Sequence, residues 1–100
     1  MNTILIVEDD KRLGAIISRG LREQGYNVSM ATSGEDARRT LSVNHPDAVI
    51  LDLGLPDCDG TDLLNLIRAD GYRGPVIIAT ARETLASKVD CLNAGADDYL

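Results

Sequence analysis

One hundred residues, 44% hydrophobic and 26% charged, suffice for one soluble domain with a single core, which the absence of Trp and Phe makes aliphatic. A net charge of −6, with 4 Lys/Arg against 9 Asp/Glu in residues 51–100, excludes nucleic-acid binding through the charge of this domain. No apolar run reaches membrane-spanning length, no secretory leader pattern opens the chain, and Cys58 and Cys91 lack C-x-x-C spacing or His companions, so a cytoplasmic protein with no membrane partner, zinc site or disulfide framework is expected.

Thr3 to Val7 is continuously apolar, as strands covered on both faces are. A helix follows in which Leu13, Ile16, Ile17 and Leu21 share one stripe, Asp10 serves as its cap, and Gly25 ends it in a left-handed conformation. Tyr26, Val28 and Met30 alternate with Asn27 and Ser29, the pattern of a more exposed strand. Ser33 with Asp36 opens a short helix carrying Ala37 and Leu41, and Pro46 blocks its continuation. Asp47 to Asp52 is the central strand, Leu53 to Gly60 a loop, and Leu63, Leu64 and Ile67 mark a third helix that ends at Gly71, Gly74 and Pro75. Val76 to Thr80 is another buried strand. A fourth helix is predicted from about Glu83 to Asn93, and Asp98-Tyr99-Leu100 starts a fifth strand.

Alternating strands and helices imply an α/β domain with a parallel sheet and right-handed crossovers. In such a sheet the carboxyl ends of the strands share one edge, where ligands bind. Glu8 and Asp9 close the first strand and Asp52 closes the third, so three carboxylates meet there. They repel one another unless a cation neutralises them, and a hard ion such as Mg2+ suits an all-oxygen set. The combination points to phosphoryl chemistry. Asp10, Asp36 and Asp59 read as cap or loop residues, His45 as a loop residue, and Arg38 and Arg39 as a solvated helix face.

Four segments in order, I-L-I-V-E-D-D at 4–10, V-I-L-D-L-G-L-P-D-C-D-G at 49–60, V-I-I-A-T-A at 76–81 and A-G-A-D-D-Y-L at 94–100, resemble the receiver domain of two-component response regulators. With Arg82 after Thr80-Ala81, the resemblance is to the OmpR/PhoB group. It implies a flavodoxin-like doubly wound sheet of strand order 2-1-3-4-5, and Asp52 as a phosphoacceptor charged by a histidine kinase. Glu8, Asp9, Asp52 and the Gly54 carbonyl would hold Mg2+, on a loop stiffened by Pro56. Thr80 and the Ala81 amide would bind the phosphoryl oxygens, and Tyr99 would be the aromatic switch. Partners would be the kinase, a second copy through the face of the fourth helix and fifth strand, and DNA only through an effector domain not in this chain. Residues 1–100 are expected to be a receiver domain cut short, its last strand incomplete, its last helix absent, and the family's strand-five Lys beyond Leu100. Apolar surface would then lie open beside the first helix. No external substrate is expected.

Two other classes compete. Asp57-Cys58-Asp59-Gly60-Thr61 matches the D-x-D-G-T signature of haloacid-dehalogenase-like phosphatases, but Gly54-Leu55-Pro56 precedes it where that signature needs a buried strand. A receiver-like interaction domain that does not switch is the other alternative. A flavin site is disfavoured, since Glu8-Asp9-Asp10 would repel its phosphate and no Gly-rich phosphate loop follows the first strand.

Overall fold

The structure, a computed structural model, describes residues 2–52, 54–79 and 98–99, the last pair by its strand position. Strand β1 (Thr3–Val7) is followed by helix α1 (Lys11–Glu23), β2 (Asn27–Ala31), α2 (Gly34–Val43), β3 (Ala48–Leu51), α3 (Gly60–Ala69), β4 (Val76–Ile78) and β5 (Asp98–Tyr99). All pairings are parallel, in the order β2-β1-β3-β4-β5. This is the predicted flavodoxin-like order. The predicted fourth helix, Cys91 and Leu100 lie outside the described residues.

One sheet face carries the core. Leu5, Val7, Val49, Leu51, Val76 and Ile78 are fully buried and meet Ala37 of α2 and Leu63, Leu64 and Ile67 of α3. The large buried side chains are aliphatic, as the composition requires. One aromatic joins them: Tyr72 is buried and donates its hydroxyl to the Pro46 carbonyl at 3.0 Å. Gly74 must be Gly there, because an added Cβ would collide with that hydroxyl. Arg38 of α2 makes a two-bond fork to Asp70 at the end of α3, 2.9 and 3.0 Å, so it bridges two helices rather than simply facing solvent.

The other face is covered less completely. Met30 pairs with Ile6 in register, and an added Cβ on Gly14 would collide with the Met30 side chain, so α1 lies on the face of Ile4 and Ile6. Its contact side is the small pair Gly14 and Ser18. The predicted stripe is therefore rotated: Ile17 and Leu21 are half-buried, but Leu13 is 44% and Ile16 63% exposed. The reason is steric, since only the small-residue side of α1 can approach β2 that closely. Ile50 and Ile77 on the same sheet face are also only half-buried.

Two strands are shorter than predicted. β3 omits Asp47, which instead brackets Thr3 by accepting its N–H and donating to its carbonyl, both at 2.7 Å. β4 ends at Ile78, although the Ala79 N–H still donates to Leu51 at 3.0 Å.

The unequal faces make a direct prediction for stability in urea. Leu64→Ala, in the fully buried face, should cost about 2–5 kcal/mol. Ile16→Ala should cost less than about 1 kcal/mol, because little apolar area leaves water at that position.

Candidate functional site

Register places the acidic residues. Val7 pairs with both Leu51 and Ala31, so the residues that follow β1 and β3 leave the sheet side by side. The Asp52 N–H donates to Val7 at 3.0 Å and the Glu8 N–H to Ala31 at 2.9 Å, which fixes both backbones at the edge. Carboxylate oxygens of Glu8, Asp9 and Asp52 all lie within 4.8 Å of one another. Glu8 is buried, only 6% exposed, while Asp52 is half-buried and Asp9 exposed. Among the described residues, no Lys, Arg or His forms an ion pair with any of the three.

Such crowding has an electrostatic consequence. Burial, the repulsion of Asp52 and Asp9, and a hydrogen bond to Asp52 push the Glu8 carboxyl up to about 7, against the opposing hydrogen bond from the Asp10 N–H at 3.1 Å. This carboxyl therefore takes up a proton far more readily than an ordinary glutamate. A cation of high charge density fits the same place: the donors are all oxygen, convergent, and partly desolvated.

The neighbouring acids are committed elsewhere. Asp10 caps α1, accepting from the N–H groups of Arg12 at 3.0 Å and Leu13 at 3.2 Å. Asp59 caps α3 through the Thr61 N–H at 2.8 Å. Ser33 caps α2 through the Asp36 N–H at 3.1 Å, and Asp36 accepts the Thr32 N–H at 3.3 Å. Asp57 accepts from Gly34 at 2.8 Å and Glu35 at 3.0 Å, and those two N–H groups hold its carboxyl below the usual carboxylate range. The phosphatase alternative fails on this arrangement. Asp57 follows no strand, and both its oxygens are engaged at the start of α2, 23 residues away in sequence. The Cys58 thiol packs on Gly34, and burial raises its pKa, which disfavours a reactive thiolate.

Gly54 lies beside Asp52: a Cβ built on it would sit 3.7 Å from Asp52 Oδ2. It also forms an antiparallel bridge with Asp59. Thr80 and Ala81 lie outside the described residues. Tyr99 occupies β5 opposite Ile78, and its side chain is outside the description. Sequence reasoning missed the roles of Asp57, Asp70 and Tyr72, since their partners are distant in the chain and no local spacing marks them.

The response regulator receiver domain pattern matches residues 4–100. Transcriptional regulatory protein QseB of Escherichia coli O157:H7 is 46% identical over 97 residues, covering 97% of this chain and 44% of that protein. Transcriptional regulatory protein PrrA of Mycobacterium tuberculosis is 40% identical over 97 residues, covering 97% of this chain and 42% of that protein. This chain thus spans less than half the length of such relatives. Among solved structures, the BeF3-activated N-terminal receiver domain of Klebsiella pneumoniae RstA superposes with a TM-score of 0.94 at 31% identity, covering 99% of this chain and 84% of that one.

The raised Glu8 pKa sets a pH dependence for the metal-free protein. The folded state binds a proton more tightly than the unfolded chain, so this contribution to stability is complete below about pH 4.5 and lost as pH rises through about 7. Relative to Glu8→Gln, the wild type should lose at most about 3 kcal/mol across that window. Parallel urea titrations at pH 4.5 and 7.5 in chelator would measure the difference, and a constant difference would refute the assignment.

Proposed function

The chain belongs to the response regulator receiver domain family, and from that premise we propose that Asp52 is its phosphoacceptor, charged by a histidine kinase. The observation that carries the reading is the convergence of Asp52 with Glu8 and Asp9 at one sheet edge, while the acids around them are engaged at helix starts. Asp52 is half-buried and so reachable by a phosphodonor. One of its oxygens attacks phosphorus, an O–P bond forms, and the bond to the donor nitrogen breaks, returning its electron pair to the kinase imidazole.

Glu8, Asp9, Asp52 and the Gly54 carbonyl would hold Mg2+, which when bound screens the approach of two anions and neutralises charge on the phosphoryl oxygens. A bound cation would favour the ionised form of Glu8 and so oppose the rise in its pKa. Thr80 and the Ala81 amide are proposed to bind the phosphoryl oxygens, and Tyr99 to follow them as the switch. These three assignments rest on sequence position. The added charge and acceptor oxygens bias an existing two-state element. A second copy docking on the face of the fourth helix and β5 is the proposed readout.

The relatives named above are transcriptional regulators, and the corresponding role here is proposed to reside in an effector domain outside residues 1–100, within a cytoplasmic protein. The net charge of −6 supports DNA contact through such a domain and not through this one. Among the described residues no helix is long and apolar enough to cross a membrane. The receiver's own chemistry is directed at itself, with no external substrate.

Incubation with acetyl phosphate and Mg2+ should give one phosphoryl adduct in the intact mass. It should disappear in chelator and in Asp52→Asn but persist in Asp57→Asn at saturating Mg2+. An adduct that survives in Asp52→Asn would overturn the assignment, and loss only in Asp57→Asn would restore the phosphatase-like reading.

A further inference from the structure

We propose that Asp57 is a positioning residue for the acidic site, fastening the loop between β3 and α3 to the first turn of α2 so that Gly54 is held against Asp52. The inference rests on reading Glu8, Asp9, Asp52 and Gly54 as a divalent-cation site. Three side-chain bonds occupy the free N–H groups that open α2. Asp57 Oδ1 takes Gly34 at 2.8 Å, Asp57 Oδ2 takes Glu35 at 3.0 Å, and Ser33 takes Asp36 at 3.1 Å. Ser33 is the local cap that the sequence announces; Asp57 is a second, long-range one. Its negative charge suits the positive end of the helix dipole.

From Gly54 to Asp59 the loop is tied at three places. At its base, Gly54 bridges to Asp59, and Asp59 caps α3. On its underside, Leu55 and Cys58 pack against the core. At its tip, Asp57 is bonded to α2, and Gly34 is buried so closely against Cys58 that any added Cβ would collide with the sulfur. Releasing the tip removes the tie to α2 from the segment that carries Gly54 and loosens it, while Glu8 and Asp9 stay fixed by β1. The metal set would then lose the alignment of one donor without losing a ligand.

A purely structural cap predicts a different outcome, and Ser33→Ala is the control. It removes an acceptor from the same helix end without touching the loop. Calorimetric Mg2+ titration of the 1–100 chain should give Asp57→Ala about tenfold weaker binding, the low end for residues that orient ligands from behind. Asp57→Asn, whose amide oxygen can still accept one N–H, should fall between it and wild type, which keeps the test informative should Asp57→Ala unfold. Ser33→Ala should lower the melting temperature yet bind Mg2+ within about twofold of wild type. The acetyl-phosphate adduct of Asp57→Asn should reach its full extent once Mg2+ is saturating. Mg2+ binding by both Asp57 variants within about twofold of wild type would overturn this inference alone, as would equal weakening by Ser33→Ala. A wild-type chain that takes up no Mg2+ would overturn the cation-site reading and this inference with it.

Discussion

Like charge held at close range is the constraint around which this domain is organised. Parallel β1 and β3 cannot sit side by side in their register without bringing Glu8 and Asp9 next to Asp52, because each strand ends in an acid at the same level of the sheet. Burial of Glu8 makes the repulsion more expensive, and the two together push its carboxyl pKa up. Convergent, partly desolvated carboxylates that form no ion pair among the described residues are chemically suited to a hard cation. The same carboxylates spread over separate loops would cost nothing and bind nothing well.

Around that cluster, the sequence spends its remaining acids on helix starts. Asp10, Asp57 and Asp59 each satisfy backbone N–H groups that a helix leaves open, and Asp10 directly follows the cluster residue Asp9. This division explains why, among the described residues, a chain so rich in Asp has one convergent carboxylate cluster rather than a diffuse acidic surface at this edge. It also separates the two candidate nucleophiles that the sequence offers, Asp52 and Asp57. Asp57 is bonded through both oxygens to α2, whereas Asp52 follows a buried strand and stays open to a donor.

The two sheet faces serve different ends. The face under α2 and α3 carries the buried aliphatic cluster. The face under α1 is approached through Gly14 and Ser18, leaving Leu13 and Ile16 toward solvent and Ile50 and Ile77 half-covered. At the sheet edge, Arg22 donates to the Val28 carbonyl at 3.3 Å and so blunts one unpaired group of β2.

By itself the sequence determined the strand and helix succession among the described residues, the parallel sheet and the convergence of Glu8, Asp9 and Asp52 at one edge. These are carried by local signals: continuous apolar runs, Ser33 and Asp10 as caps, Gly25 and Gly71 at positive φ, and acids at strand ends. Where the sequence reading departed from the fold, the deciding contacts are long-range. Which side of α1 faces the sheet depends on the closeness of Gly14 to Met30, and helical periodicity alone cannot report that distance. The bonds from Asp57 to α2, from Arg38 to Asp70 and from Tyr72 to Pro46 join residues 22 to 32 positions apart. Local spacing encodes which element a residue joins. Only the packed chain decides which distant N–H or carbonyl its side chain meets.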